Sequence, residues 1–319
     1  MPIKSSFRPS RWWHNPHLQT IWPVLTKPKQ RPRLQRQRLE LDDGDFLDLD
    51  WQAQPQGDAP LLVLVHGLEG SADSHYVRRL LLAAEQQSLA AVVMHQRSCS
   101  GEPNRLLRSY HSGASDDLAA VLTELKRQRP HTPLWMVGYS LGGNQLTKYL
   151  GETGDASLVT KAVVISAPLD LAACAQRMEQ GFSRVYQRHL LSRLQRKTAD
   201  KLTQLPLSAE QLRGLNTFYQ FDHQITAPIN GFASADDYYR RASGKPFMRQ
   251  IRTPTLILHA EDDPFMTQAV IPLPQEMSNS VELELCPNGG HVGFIEGGWP
   301  WAPRYYLERR ILAYLSNTD

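Results

Sequence analysis

The chain has 319 residues, which is enough for one large α/β domain that carries an insertion. Its composition, 41% hydrophobic and 21% charged, is typical of a globular protein with a full core. No apolar run approaches the roughly 20 residues that a membrane-spanning helix needs. The N-terminus shows no apolar run followed by a small-residue cleavage site, so no secretory signal is predicted. Three widely separated cysteines, Cys99, Cys174 and Cys286, argue against a disulfide framework and predict a reducing, cytoplasmic location.

The net charge of +3 is unevenly distributed along the chain. Residues 1–38 contain nine basic residues, no acidic residue and the tryptophans Trp12, Trp13 and Trp22. Such a mixture can mark a segment that lies on a membrane surface. Because no clean helical period runs through it, we favour an N-terminal arm that wraps the domain, with peripheral membrane contact as the alternative. Nothing beyond this basic arm would support nucleic-acid binding, so none is predicted.

Residues 36–51 alternate around Asp43-Gly44 and predict a β-hairpin. Strands and helices then take turns, which is typical of a parallel sheet covered by helices on both faces. The predicted strands are Leu61–Val65, Ala90–His95, Pro133–Val137, Lys161–Ser166, Thr255–Ala260 and Val281–Leu285. The predicted helices are Tyr76–Gln87, Ser115–Arg129, Leu141–Gly151 and a closing helix, Arg304–Leu315.

The alternation stops between Pro168 and Pro254, where the sequence is polar and predicts helices but no strand. Helical stretches are expected around residues 172–179, 184–199 and 208–219. We therefore predict an α/β core formed by residues 39–168 and 253–319, preceded by the arm (residues 1–38). Residues 169–252 form the helical insertion. Its position after a core strand favours a cap over a substrate site rather than a peripheral decoration.

One local motif carries nucleophile chemistry. The sequence Gly138-Tyr139-Ser140-Leu141-Gly142 matches G-x-S-x-G, which is weak as a bare pattern. Here it follows an apolar strand and precedes a helix, the context of a nucleophile elbow. A serine on so tight a turn is strained, and glycines on either side remove the side chains that would collide. Ser140 is therefore the candidate nucleophile.

A serine hydroxyl needs a base, and the base needs an acid that fixes its tautomer. On a strand–elbow–helix scaffold the acid and then the histidine follow the serine along the chain. His291 lies in a glycine-rich loop after the last predicted core strand and is the candidate base. Strand Thr255–Ala260 is followed by three carboxylates, of which Asp263, directly before Pro264, is the preferred acid. Asp262 is the alternative.

Acyl transfer also needs donors for the oxyanion of the tetrahedral intermediate. The glycine-rich loop His66-Gly67-Leu68-Glu69-Gly70 follows the first core strand. The backbone amides of Leu68 and of Leu141, the residue after the nucleophile, are the predicted donors. We interpret His66 as shaping this turn rather than accepting a proton.

Taken together, these residues resemble the α/β-hydrolase superfamily and, more narrowly, its YheT-like esterases (the AB hydrolase 4 family). The narrower resemblance rests on segments that a catalytic triad does not require, spread in order over nearly the whole chain. They are Trp13-His14-Asn15-Pro16-His17-Leu18-Gln19-Thr20, His66–Gly70, Ser100-Gly101-Glu102-Pro103-Asn104, Val137–Asn144, Asp262-Asp263-Pro264-Phe265 and Gly289–Phe294. One departure is Ser98, where the family pattern has glycine after Arg97. The resemblance implies an α/β-hydrolase fold and hydrolysis of carboxylic esters.

The expected function is therefore a serine carboxylesterase that cleaves short- to medium-chain acyl esters or lipids through an acyl-serine intermediate. The alternatives are acyl transfer to an alcohol, a lipase- or phospholipase-like activity, and a non-catalytic binding protein on a hydrolase fold. The expected partner is a small-molecule ester or lipid substrate. The histidines and cysteines show no ligand spacing, so neither a metal nor an organic cofactor is predicted.

Overall fold

The computed structural model describes residues 3–317, and a nine-stranded sheet forms its centre. The strands are β1 (Ile3–Lys4), β2 (Gln35–Glu40), β3 (Phe46–Trp51), β4 (Leu61–Val65), β5 (Ala90–Met94), β6 (Leu134–Tyr139), β7 (Val159–Ile165), β8 (Thr255–Ala260) and β9 (Val281–Cys286). Their order across the sheet is β1-β9-β8-β7-β6-β4-β5-β3-β2. Only the pairings of β2 with β3 and of β3 with β5 are antiparallel; the other six are parallel.

Helices cover both faces of this sheet, as the alternation of strand and helix predicts. The α-helices of residues 3–317 are α1 (Pro16–Leu25), α2 (His75–Gln86), α3 (Ser115–Gln128), α4 (Leu141–Thr153), α5 (Leu171–Met178), α6 (Ser183–Ala199), α7 (Ala209–Gly214), α8 (Phe218–Phe221), α9 (Ala227–Ile229), α10 (Ala235–Ala242) and α11 (Leu307–Ser316). Successive residues of a strand point to opposite faces. Accordingly, Leu61, Val63 and Val65 pack with α3 and α4, while Leu62 and Leu64 pack with α2 and α11. The predicted fold class is confirmed.

The predicted strands are found within one or two residues of their expected bounds, and the hairpin turns at Gly44 with φ +83°. The closing helix is an exception, because it begins at Leu307 rather than at residue 304. The residues before it form β11 (Ala302–Tyr305), which pairs with β10 (Ile295–Trp299) in a separate antiparallel hairpin.

The N-terminal arm contains more regular structure than its sequence indicates. It forms β1 at one edge of the sheet and the helix α1. Strand β2 begins at Gln35, inside the range of the predicted arm. Residues 1–2 of the arm and 318–319 of the core lie outside the described residues.

The helical insertion contains α5 to α10 and no strand between residues 169 and 252. The expected helix over residues 208–219 is interrupted, since α7 ends at Gly214 and α8 begins at Phe218. No helix within residues 3–317 is long and apolar enough to cross a bilayer. The cytoplasmic location stays a prediction.

Candidate active site

Ser140 lies between β6 and α4 with a strained backbone, at φ +50° and ψ −121°. Such a conformation persists only where its surroundings enforce it. A Cβ on Gly138 would lie 2.6 Å from the carbonyl oxygen of Gly142, and a Cβ on Gly142 would lie 2.6 Å from that of His66. Only glycine fits either position, so this sequence can close the tight turn. The turn holds the Ser140 hydroxyl at the start of α4.

The structure brings His291 and Asp263 to Ser140. The Nε2 atom of His291 is 3.0 Å from Ser140 Oγ, and its Nδ1 atom is 2.8 Å from Asp263 Oδ2. A carboxylate can only accept, so Nδ1 carries the proton and Nε2 is free to accept from the hydroxyl. The imidazole ring also stacks on Phe265, with ring centroids 4.0 Å apart and planes 8° apart. These contacts fix both the tautomer and the orientation of the imidazole.

The two adjacent aspartates have different partners. Asp263 is buried, and its second oxygen, Oδ1, accepts a hydrogen bond from the Phe265 amide at 2.9 Å. Asp262 instead accepts from the Gly290 amide at 2.9 Å and from the Asn288 side chain at 3.3 Å. Asp263 therefore contacts the imidazole ring, whereas Asp262 supports the backbone of the loop that carries it.

The predicted oxyanion loop lies beside Ser140, since a Cβ on Gly67 would be 3.0 Å from the Ser140 Cβ. Leu68 and Leu141 both face the same cavity as Ser140 and His291. The loop is held from two sides: the Tyr76 hydroxyl accepts from the Gly67 amide at 2.9 Å. On the other side, the Glu69 amide donates to Tyr110 at 2.9 Å.

An ion pair connects this loop to the helical insertion. Lys197 of α6 donates to the largely buried carboxylate of Glu69 at 2.7 Å. The Tyr110 hydroxyl donates to the same oxygen at 2.7 Å. Burial opposes the charge on Lys197, but Cys99 and Glu69 outweigh that effect and raise the pKa of its ammonium group. The charged ammonium group of Lys197 therefore links the insertion to the loop that carries Leu68.

Two other histidines of the site region are buried and structural. His66 donates from Nδ1 to the Gly67 carbonyl at 2.8 Å and accepts at Nε2 from the Gln96 amide at 3.1 Å. Burial lowers the pKa of His66 to about 3. His111 accepts from the Gly113 amide at 3.1 Å, and burial lowers its pKa to about 3 as well. Both rings are therefore neutral and already engaged with the backbone.

Ser140 and His291 open onto a cavity of about 760 Å³. Its walls come from the core loops, from α1 and from the helical insertion. The insertion contributes mostly apolar side chains: Leu171, Cys174, Ala175, Met178, Val185, Leu190, Leu194, Phe218, Phe221, Ile225, Tyr238 and Tyr239. The lining also includes charged side chains, among them Glu69, Arg193 and Lys197, so the cavity fits a ligand with a large apolar part and a polar group.

Two residues of α1 support the histidine loop, and neither role was predicted from the sequence. The Thr20 hydroxyl accepts a hydrogen bond from the His291 amide at 3.0 Å. The buried side chain of Gln19 donates to the carbonyls of Trp13 at 2.7 Å and Ile295 at 3.0 Å, and accepts from the Ile295 amide at 2.6 Å. A Cβ on Gly290 would lie 2.6 Å from the Pro16 carbonyl oxygen, so α1 packs directly on this loop. In the sequence, these two residues were indicated by the segment Trp13–Thr20, which resembles the family pattern although a catalytic triad does not require it.

The departure at Ser98 has a conformational explanation. Its φ is +59°, a value that favours glycine. Here the Asn104 side chain accepts from the Ser98 amide, and the Ser98 hydroxyl accepts from the Asn104 amide at 2.9 Å. Asn104 also donates to Asp45 at 2.7 Å. These bonds hold the turn without glycine and leave Ser98 at the cavity wall.

Within residues 3–317, the His, Cys, Asp and Glu side chains form no cluster of three or more that could hold a metal ion.

Comparisons with known proteins agree with this architecture. A family model for the alpha/beta hydrolase fold matches residues 60–298. Among solved structures, the esterase Pf2001 of Pyrococcus furiosus superimposes with a TM-score of 0.57 at 13% identity, covering 99% of this chain and 98% of that one. The chain therefore belongs to the α/β-hydrolases.

Sequence relatives narrow the assignment. The chain is 47% identical to the protein YheT of Escherichia coli (strain K12), which carries the provisional name of an esterase, over 98% of this chain and 94% of that protein. It is 26% identical to mouse phospholipase ABHD3, over 93% and 75% of the two chains. It is 32% identical to the monoacylglycerol lipase of Saccharomyces cerevisiae, over 74% of this chain and 55% of that enzyme. Within the α/β-hydrolases it is a YheT-like, esterase- or lipase-type hydrolase.

Proposed function

We propose that the protein is a serine carboxylesterase that cleaves short- to medium-chain acyl esters or lipids. The observation that carries this proposal is the continuous hydrogen-bonded chain from Ser140 through His291 to Asp263 at the wall of a mainly apolar cavity. In our assignment Ser140 is the nucleophile, His291 the general base and Asp263 the acid. The amides of Leu68 and Leu141 form the oxyanion hole.

The proposed cycle has two halves. Ser140 Oγ attacks the carbonyl carbon of the ester while its proton passes to His291 Nε2, and the amides of Leu68 and Leu141 bind the oxyanion. Collapse of the tetrahedral intermediate breaks the bond to the alcohol oxygen, which takes the proton from Nε2 and leaves an acyl-serine. Water then gives a proton to Nε2 and attacks the acyl carbon. The bond from that carbon to Ser140 Oγ breaks, Oγ takes the proton back from Nε2, and the carboxylic acid is released. Asp263 stabilises the imidazolium in both halves.

Two relatives, one named as a phospholipase and one as a monoacylglycerol lipase, support lipids as substrates, and so does the cavity.

The proposal is tested by turnover of p-nitrophenyl esters of increasing acyl chain length by the wild type. We expect a maximum at short to medium chains. If the protein melts cooperatively but hydrolyses none of these esters, the proposal is contradicted.

Acyl-chain selectivity should depend on the helical insertion, which we propose acts as a cap over Ser140. Phe218 and Leu194 line the cavity, whereas Tyr219 points outward, with its hydroxyl donating to Asp236 at 3.0 Å. An apolar wall gains roughly 0.8 kcal/mol for each methylene that it buries. Phe218→Ala, which enlarges the cavity, should therefore move the optimum toward longer chains. Leu194→Trp should move it toward shorter ones.

The matched control for the cap is Tyr219→Ala, an aromatic truncation on the same short helix but outside the cavity. Its kcat/KM profile across the ester series should follow the wild type. An unchanged optimum in both cavity variants would mean that the insertion is a decoration and that selectivity resides in the loops around Leu68 and Cys99.

We also propose that Thr20 is a positioning residue for His291. Thr20→Val keeps the shape of the side chain but leaves the His291 amide without its acceptor, which costs about 1–3 kcal/mol. Part of this cost should appear as displacement of the imidazole, so kcat should fall about tenfold with little change in KM. Thr20→Ser, which restores the hydroxyl, should recover the rate.

Thr26→Val provides the control for general damage to α1. Its hydroxyl lies 3.0 Å from that of Tyr305, at the other end of the helix, and makes no contact with the histidine loop. Equal losses of kcat in the Thr20 and Thr26 variants would argue for a merely structural role.

A further inference from the structure

Helix α1 buries polar side chains and exposes apolar ones, the reverse of an ordinary surface helix. The polar residues Gln19 and Thr20 are buried because they support the histidine loop, while Leu18, Val24 and Leu25 are exposed. Leu25 is 70% exposed. A surface helix of a globular protein normally turns its apolar stripe toward the core. Burial of Gln19 and Thr20 against the histidine loop therefore leaves Leu18, Val24 and Leu25 on the outer side of α1.

The hairpin of β10 and β11 adds exposed aromatic side chains next to α1. Trp22 donates from Nε1 to the Pro300 carbonyl at 2.6 Å, which fixes the tip of the hairpin against the helix. On either side of Pro300, Trp299 is 69% exposed and Trp301 is 77% exposed, with their rings stacked 5.5 Å apart. Trp12, just before α1, is 85% exposed. Trp22 thus joins two exposed apolar segments that are distant in sequence.

We call this surface the tryptophan face, and define it by Trp12, Leu18, Val24, Leu25, Trp299 and Trp301. It is continuous with the candidate active site, because Val24 and Leu25 also line the cavity that contains Ser140. Val24 and Leu25 thus provide an apolar link between this face and the cavity. A group of large, exposed apolar side chains such as this one is typical of an interaction site.

Basic residues flank α1 on both sides along the chain, and they favour one kind of partner. Arg11 is exposed beside Trp12, and Lys29, Arg31 and Arg33 are exposed in the segment that follows α1. The first 38 residues contain no acidic residue at all. Tryptophan is suited to the boundary between lipid and water, and nearby basic residues attract anionic headgroups. A second protein copy would have to bring its own acidic surface to this region.

We propose that the tryptophan face binds the surface of an anionic lipid bilayer and thereby opens the cavity directly to lipid. Trp12, Trp299 and Trp301 insert at the headgroup level, and the basic residues contact anionic headgroups. Delivery of a substrate to Ser140 rests on the proposed function, but binding to the surface does not. The two can therefore be tested separately.

Binding is measured in the Ser140→Ala background, so that the vesicles are not hydrolysed, by co-sedimentation with vesicles. One set contains phosphatidylcholine alone, and the other contains phosphatidylcholine mixed with phosphatidylglycerol. We expect binding to the mixed vesicles, weaker binding to phosphatidylcholine alone, and weakening by salt. Tryptophan fluorescence should shift to shorter wavelength when the mixed vesicles are added.

Two triple variants test separately the apolar and the charged contributions to vesicle binding. Trp12→Ser/Trp299→Ser/Trp301→Ser should lower partitioning to the mixed vesicles by about tenfold or more and abolish the fluorescence shift. Lys29→Gln/Arg31→Gln/Arg33→Gln should lower it by about tenfold and remove most of the salt dependence. Leu273→Ser is the matched control, because Leu273 is an exposed apolar residue outside the tryptophan face, and its partitioning should not change.

Three results would overturn the proposal. The first is a parent protein that sediments with neither vesicle. The second is a tryptophan variant that binds as well as the parent. The third is light scattering that shows a dimer in the parent and a monomer in the tryptophan variant without vesicle binding, which would make this face an interface between two copies of the chain. Because binding is measured without catalysis, a wild type that is inactive on every soluble ester would refute the proposed function alone.

Discussion

Ser140→Ala is expected to remove ester hydrolysis almost completely, with a fall in kcat on the order of 10⁶. The substitution deletes one oxygen and retains the Cβ, so the backbone strain at φ +50° and the surrounding glycine contacts are unchanged. Loss of activity in a variant that melts like the wild type would then report the missing nucleophile. The measurement is turnover of a p-nitrophenyl ester at saturating substrate.

A fluorophosphonate probe gives an independent readout at the same position. It should add once to the wild type, at Ser140, and not to Ser140→Ala. Ser109→Ala is the matched control, because Ser109 also lines the cavity but its hydroxyl donates to the Tyr110 carbonyl at 3.4 Å. This control should keep both activity and labelling. Labelling that survives in Ser140→Ala would move the nucleophile elsewhere.

The order of strands and helices could be predicted from the sequence because it rests on local signals. Buried strands are short apolar runs between turn residues, and the insertion is recognisable as an interruption of the alternation. The elbow at Ser140 could be predicted for the same reason, since its glycines and its strand–turn–helix setting are contiguous. The hairpin of β10 and β11 was not predicted, because Gly297 and Gly298 weaken the strand pattern there.

The support from α1 depends on contacts between distant segments, and sequence periodicity does not contain them. Gln19 and Ile295 are separated by 276 positions, and Thr20 and His291 by 271. The buried polar residues also break the helical pattern that would have revealed α1, and Pro23 lies inside it. The family segment Trp13–Thr20 pointed to these residues without giving their partners.

The choice between Asp262 and Asp263 shows the same limit on a smaller scale. Adjacent residues in a turn point in different directions, and the two carboxylates are chemically identical. The position before Pro264 favours Asp263 in the sequence, but only the three-dimensional contacts give each carboxylate its partner. They give Asp263 the imidazole ring at 2.8 Å and Asp262 the Gly290 amide at 2.9 Å.

Asp263→Asn is expected to lower kcat by about 10⁴, because it should hold His291 in the wrong tautomer. The Phe265 amide donates to Asp263 Oδ1, so the side-chain oxygen of the introduced asparagine would be retained at that position as its acceptor. The amide NH₂ would then face His291 Nδ1 and donate to it, which forces the ring proton onto Nε2. A protonated Nε2 cannot accept the proton of the Ser140 hydroxyl.

Asp262→Asn should cost far less, about tenfold or below, which corresponds to the roughly 1 kcal/mol of one altered hydrogen bond. Its oxygen can still accept from the Gly290 amide, and Asn288 can rotate its own amide to offer an oxygen to the new NH₂. The loop that carries His291 is then preserved. The two variants differ by one position in the chain and are otherwise matched, so each is the control for the other. Measured kcat values in the reverse order would assign the acid to Asp262, and equal small losses would mean that neither carboxylate fixes the tautomer of His291.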